Sequence, residues 1–179
     1  MDKHMRIRRL TADAMFLCAA LMLAFLESLL PPLPIPGVKL GLANLAILCC
    51  VYGMGLADGA AVAVLRWLVT GLLFGSGTSI LFSLAGMVCV LAMLCLLRST
   101  NRIHGGRLSF MGISVLTALA HNLGQLFCAA LLYGWGKEIL LVYGGGLMLF
   151  GTACGILTGW ICNLLFRRFG EFSRGLLNT

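Results

Sequence analysis

The chain has 179 residues, of which 60% are hydrophobic and 11% are charged, and its formal net charge is +7. Soluble domains carry about a quarter charged residues, and so short a globule leaves much of its surface in contact with solvent. The composition therefore excludes an ordinary soluble protein and predicts one integral membrane domain over residues 1–179.

Hydropathy predicts six membrane-spanning helices, since about 20 apolar residues are needed to cross the hydrocarbon core. The expected spans are residues 11–30, 38–53, 56–75, 79–97, 110–133 and 139–166. The second covers only about 24 Å, so we expect it to begin below the outer surface. The glycine run 144–146 in the last span predicts a bent outer segment. The expected fold class is an all-α, polytopic bundle of six transmembrane helices.

Basic residues fall mainly on one side of these spans. Ten of the thirteen precede span one, lie between spans four and five, or follow span six. By the positive-inside rule, both termini are expected in the cytoplasm, which requires an even number of spans. The expected location is therefore a cytoplasmic membrane, with both termini on its inner side. Because no basic stripe is interleaved with aromatic residues, the charge indicates contact with lipid headgroups of the bilayer, and no nucleic-acid partner is expected.

The first connection contains PPLPIPGVKLGLAN, from Pro31 to Asn44, which holds all four prolines. Residues before proline avoid the α region, so this segment is expected to be an extended loop of limited flexibility. Lys39 and Asn44 bring polar side chains to the start of span two. Glu27 lies just before this loop, and two explanations stay open for it: snorkelling to the outer interface, or pairing with Lys39.

Span three carries a charged side chain at depth. Arg66 lies near mid-span, and Thr70 is one turn away on the same face. A charge at mid-bilayer costs roughly 2.5–3.5 kcal/mol on insertion scales. Arg66 either binds helix carbonyls or receives an anionic ligand. We favour the ligand, because intramembrane charges usually mark substrate or ion pathways.

Span five contains TALAHNLGQ, in which polar side chains recur at helical spacing. Thr117, His121 and Gln125 stack on one face, and Asn122 lies beside them at a depth similar to that of Arg66. Two interpretations stay open, hydrogen bonds between helices and a ligand site.

Small residues recur at helical spacing in spans one and six. A doubled GxxxG pattern at residues 151, 155 and 159 predicts close helix packing. Ala20 and Ala24 form a similar pair, which serves either internal packing or a partner helix. The eight cysteines contain no CxxC pair and lack the spacing of a metal-ligand set, so neither a metal site nor a cofactor is expected.

Three segments, PGVKLGLANLA, LRWLVTGLLFGSGTSILFSLAGM and SVLTALAHNLGQ, resemble successive signatures of the Gx transporter family, also labelled heptaprenyl diphosphate synthase component I. The similarity extends from about Ala14 to Phe166. That family in turn resembles the substrate-binding S components of energy-coupling-factor (ECF) transporters. The resemblance implies an outward-opening pocket beneath the loop after helix one. It also implies an AxxxA motif on helix one that docks a transmembrane coupling subunit, and Ala20 and Ala24 match one AxxxA.

With this resemblance, the polar residues are expected to form one pocket for a small-molecule substrate. The expected binding residues are Lys39 and Asn44 at the rim, Arg66, His121, Asn122 and Gln125 on the floor, and Thr70 and Glu27 nearby. Their chemistry suits a small anionic or polar-headed molecule, such as an isoprenoid- or quinone-related one. The absence of a Walker A pattern implies that separate ATPase subunits would drive transport.

Two alternatives to transport stay open, a non-catalytic accessory subunit of a prenyl diphosphate synthase and a small scaffold. Prenyl transfer uses Mg²⁺ held by clustered aspartates. The six acidic residues are all at least eleven positions apart, so a local aspartate cluster cannot form. We therefore expect no enzymatic activity from this chain alone.

Overall fold

The computed structural model describes residues 3–29, 41–74, 77–103, 108–134 and 136–177. Lys39 and the proline-rich loop that follows helix one lie outside these ranges. The helices are α1 (Lys3–Ser28), α2 (Leu42–Gly53), α3 (Leu56–Phe74), α4 (Gly77–Ile103), α5 (Phe110–Tyr133) and α6 (Lys137–Leu177). All regular structure in the described ranges is helical, which confirms the predicted fold class.

Among the described residues, five helices are long and apolar enough to cross a membrane, and α2 is the exception. With 12 residues, α2 spans about 18 Å, whereas a hydrocarbon core is about 30 Å thick. The chain is thus a multi-pass membrane protein that contains one short helix, at the place where the sequence predicted it.

The long helices extend beyond the predicted spans at their charged ends. α1 begins at Lys3 rather than at residue 11, and α6 continues to Leu177 rather than ending at residue 166. Hydropathy locates the part of a helix that can lie in lipid, whereas backbone hydrogen bonding continues into polar flanks. α2 differs in the opposite sense, because it begins at Leu42 and not at residue 38.

α6 is one continuous helix through Gly144–Gly146, so the glycine run does not interrupt its backbone hydrogen bonding. In lipid, an unsatisfied backbone group costs several kcal/mol, which exceeds the roughly 1 kcal/mol that a glycine costs inside a helix. Gly144 also serves packing, since a Cβ there would lie 2.9 Å from a methyl group of Leu126 on α5. Gly144 therefore brings α5 and α6 together without breaking the helix.

α2 is the centre of the bundle. Most of its residues are buried, and it packs against α1, α3 and α6. α3 approaches it closely because Gly59 faces Val51, whose side chain would collide with any Cβ at residue 59. The buried cluster around α2 extends to Val90 and Leu94 of α4. A helix enclosed by protein does not need to span lipid alone, which explains how so short a helix is accommodated.

The doubled GxxxG pattern packs α6 against α5, as the sequence predicted. A Cβ on the middle glycine, Gly155, would lie only 2.8 Å from the Cα of Val115. Next to this contact, the hydroxyl groups of Ser114 and Thr158 form a buried hydrogen bond of 2.8 Å between the two helices. Small residues and a polar pair thus hold the α5–α6 interface together.

Replacing Gly155 by alanine is expected to lower the free energy of unfolding by about 1–3 kcal/mol, the usual cost of overpacking. The added methyl group would meet the α5 backbone, which cannot rotate away as a flexible side chain can. Gly145→Ala is the matched control, because no atom lies within 4 Å of its Cβ position and alanine favours a helix. A denaturant titration in detergent measures both variants, and equal stability would contradict the packing described above.

Candidate functional site

Arg66 lies about three turns into α3, with its side chain largely inside the bundle. Its Nε atom is buried and has no hydrogen-bond partner. Among the described carboxylates, Asp58 pairs with Arg9, and none forms an ion pair with Arg66. A buried donor without a partner costs about 1–3 kcal/mol, and more when it is charged. Such a guanidinium is expected to receive an anionic or strongly accepting group.

Glu27, in the last turn of α1, turns toward the start of α2. The backbone N–H of Gly41 donates a hydrogen bond of 2.8 Å to Glu27 Oε1. Gly41 has a left-handed conformation, with φ of 72°, and α2 has no N-terminal cap from a side chain of its own first turn. Glu27 thus caps a neighbouring helix, where a carboxylate is favoured by the exposed N–H groups and the helix dipole. The Glu27 side chain thus contacts the backbone of α2, which differs from the predicted extension toward the outer interface.

Three of the predicted residues converge on the N-terminal end of α2. Asn44 lies in the first turn, and its amide nitrogen is 3.4 Å from the position of a Cβ on Gly41. Glu27 binds the Gly41 amide. Gly59 of α3 packs on Val51 of the antiparallel α2, so Arg66, two turns beyond Gly59, lies level with the first turn of α2. This group, Glu27, Asn44 and Arg66 around the Gly41 amide, is called the α2 N-terminal site below. Lys39 is outside the described residues.

Thr70 is bonded within its own helix. Its hydroxyl donates to the carbonyl oxygens of Arg66, at 2.8 Å, and of Trp67, at 3.3 Å. The hydroxyl oxygen retains its lone pairs, so Thr70 offers a ligand an acceptor rather than a donor in this conformation.

The polar residues of α5 face different neighbours. His121 packs against Gly86 of α4, where a Cβ would lie 2.5 Å from the imidazole ring. Asn122 donates a buried hydrogen bond of 2.9 Å to the carbonyl oxygen of Leu147 on α6. Gln125 is also buried. Asn122 therefore joins helices, which is one of the two roles that the sequence left open. That His121, Gln125 and Arg66 bind one ligand together stays a prediction.

The small pair on α1 lies mainly inside the bundle. Ala20 is fully buried, at 0% exposure, and belongs to the central cluster around α2, while Ala24 is half-buried. Ala20 therefore serves internal packing, the first of the two explanations that the sequence left open. Docking of a partner at this pair stays a prediction, and contact with Ala20 itself would require α1 to move.

A charged cluster at the opposite end of the bundle was not predicted from the sequence. Arg9 of α1 donates to a single oxygen of Asp58 on α3, from Nη2 at 2.7 Å and from Nε at 3.2 Å. A cavity of about 390 Å³ adjoins it, lined by the end of α2, the turn that follows, and Leu94 and Arg98 of α4. The two members of the ion pair are 49 positions apart, so no local pattern could have indicated their contact.

The fold is shared with a protein of known structure. The S component of a bacterial ECF transporter superposes with a TM-score of 0.60 at 22% sequence identity, over 93% of this chain and 98% of that one. No curated protein sequence matches the chain. The family described as heptaprenyl diphosphate synthase component I matches residues 16–165, which include α2 to α5, parts of α1 and α6, and the α2 N-terminal site. The chain therefore belongs to the heptaprenyl diphosphate synthase component I family.

Proposed function

We propose that this protein is a substrate-binding membrane component of a transporter. It captures a small molecule with an anionic or polar head at the outer side and passes it inward together with partner subunits. The observation that carries this proposal is a buried guanidinium without a hydrogen-bond partner at Nε, in a bundle with the fold of an ECF S component. A charged side chain inside a membrane domain is costly, and such residues usually mark the path or binding site of a substrate or ion.

The substrate binds at the α2 N-terminal site in this proposal. Arg66 offers up to five N–H donors, and Asn44 adds an amide with both a donor and an acceptor. The α2 N-terminus adds a partial positive charge. Lys39, Thr70, His121 and Gln125 complete the predicted binding set, and Glu27 orders the start of α2. The apolar bundle around these groups suits a substrate with an apolar body, such as an isoprenoid- or quinone-related molecule.

The proposal requires partners and an orientation. The chain has no Walker A pattern, so ATP hydrolysis would be supplied by separate ATPase subunits through a transmembrane coupling subunit. The excess of basic residues at the ends of α1, α4 and α6 favours a bacterial cytoplasmic membrane with both termini inside. In that orientation the α2 N-terminal site lies toward the outer surface, where a substrate would enter.

The family's description favours a second candidate function, that of a non-catalytic membrane subunit of a prenyl diphosphate synthase. The wide spacing of the acidic residues in the sequence argues against catalysis by this chain itself. The two candidates share an affinity for an anionic, isoprenoid-related molecule. They differ in whether that molecule crosses the membrane.

Comparing metabolites in cells that contain or lack this chain tests the proposal. Transport predicts that one small molecule supplied in the medium accumulates inside only when the chain is present, and that Arg66→Met abolishes the accumulation. When the molecule is not supplied, the pool of prenyl diphosphates should be nearly the same in cells that contain the chain and in cells that lack it. A change in prenyl chain length or amount, without any change in uptake, would favour the accessory-subunit function instead.

A further inference from the structure

The N-terminus of α2 already holds an anion, and that anion belongs to the protein. Glu27 Oε1 accepts the hydrogen bond from the Gly41 N–H at 2.8 Å, and α2 has no side-chain cap from its own sequence. The carboxylate comes from the preceding helix, so it is not fixed to α2 by the backbone.

Arg66 has no such occupant. Its Nε donor is buried without a hydrogen-bond partner, and no described carboxylate forms an ion pair with it. Gly59 of α3 packs on Val51 of the antiparallel α2, so Arg66, two turns beyond Gly59, lies level with the first turn of α2. Two positive features, the guanidinium and the helix N-terminus of about half a charge, thus lie at the same depth in the bundle, and Glu27 occupies the second.

We propose that Glu27 is an internal stand-in for the charged group of the substrate. An anion with two or more oxygens, such as a carboxylate or a phosphate, enters between the α2 N-terminus and Arg66 and displaces the Glu27 carboxylate. This inference rests on the proposed function and deepens it by naming the class of the substrate's head group.

The sign of the expected effect follows from the charges. While Glu27 is ionised and in place, it both occupies the Gly41 amide and repels a second anion. Glutamine at residue 27 retains an acceptor oxygen for that amide but removes the repulsion. The variant should therefore bind anions more tightly than the wild type. A residue that contacted a cationic part of the substrate would give the opposite result.

The experiment titrates inorganic phosphate and acetate against the thermal unfolding of the full chain in a nonionic detergent, with chloride holding the ionic strength constant. Glu27→Gln is expected to lower the half-maximal stabilising concentration about tenfold, the lower end of what a charged hydrogen bond contributes. Adding Arg66→Met to Glu27→Gln should remove most of that gain. Glu138→Gln, an identical charge change at the exposed start of α6, is the matched control and should behave as the wild type does.

Glu27→Ala is made alongside, because it removes the carboxylate together with its acceptor. An unchanged or weaker anion response in both variants would overturn the proposal, and so would failure of both to fold, since Glu27 would then be a structural cap only. Repeating the titration in nanodiscs of phosphatidylcholine and of phosphatidylglycerol identifies the source of the anion. Stabilisation by the anionic lipid alone would assign the site to a headgroup, and stabilisation by the soluble anions would assign it to a soluble substrate.

The two proposals fail separately. If a transported substrate is found but Glu27→Gln does not lower the half-maximal stabilising concentration of the anions, the stand-in role is wrong and the transport function remains. If the anion response appears but nothing is transported, the site exists and the transport function is wrong.

Discussion

Replacing Arg66 by methionine is expected to weaken binding of the substrate by about 1.5–3 kcal/mol, the value of a hydrogen bond to a charged group. This corresponds to roughly a 10- to 150-fold increase in Kd. Methionine keeps an unbranched apolar stem but removes the charge and all five N–H donors. The protein should remain folded, and it should become no less stable, because the variant no longer buries an unpaired cation.

Isothermal titration of the co-purifying or transported compound measures this effect, with thermal unfolding in parallel. Arg98→Met is the matched control, since Arg98 lines the cavity at the opposite end of the bundle. A loss of affinity in Arg98→Met alone would move the binding site to that cavity. Combining Arg66→Met with Gln125→Leu should cost less than the sum of the single losses if both side chains contact one ligand. Strict additivity would separate Gln125 from the site.

Replacing Asn122 by leucine should mainly reduce stability. The hydrogen bond to the Leu147 carbonyl would be lost, and such bonds contribute roughly 0.6–1.7 kcal/mol in membrane proteins. Asn122 also packs directly on Gly151, where no space remains for a bulkier branched group, and overpacking adds about 1–3 kcal/mol. We expect a combined loss of about 2–4 kcal/mol in the free energy of unfolding.

Unfolding of the detergent-solubilised variants by denaturant measures this loss. Asn163→Leu provides the control, because Asn163 is half-buried on α6 and forms no hydrogen bond with the described residues. Its effect should stay below about 1 kcal/mol, in the range of an ordinary substitution. If Asn122→Leu instead remained stable and lost only substrate affinity, Asn122 would be a ligand contact and the structural role assigned to it would be wrong.

The helices could be predicted from sequence because lipid imposes one strong rule. A backbone that crosses hydrocarbon must satisfy its hydrogen bonds internally, so long apolar runs become helices. The same rule explains why α6 continues through Gly144–Gly146, since glycine's weak helix preference matters less in lipid than in water. The ends of α1 and α6 could not be located by hydropathy, because their polar flanks remain helical outside the apolar part.

The candidate site was only partly predictable. Arg66 stood out because a charge in an apolar span needs a reason. The role of Glu27 could not be predicted, because its partner is a backbone N–H group, which every residue except proline has. The α5 residues illustrate a further limit. His121 and Asn122 are neighbours in sequence, yet successive helix residues differ by about 100° in direction, so one faces α4 and the other α6.

Native mass spectrometry of the purified protein tests the central claim most directly. We expect the wild-type chain to carry one small molecule in a 1:1 complex. We expect this adduct to be absent from Arg66→Met and to be retained by Asn163→Leu. A wild-type chain that carries no adduct after gentle purification, and that gains none when incubated with extracts of the growth medium, would contradict a substrate-binding function.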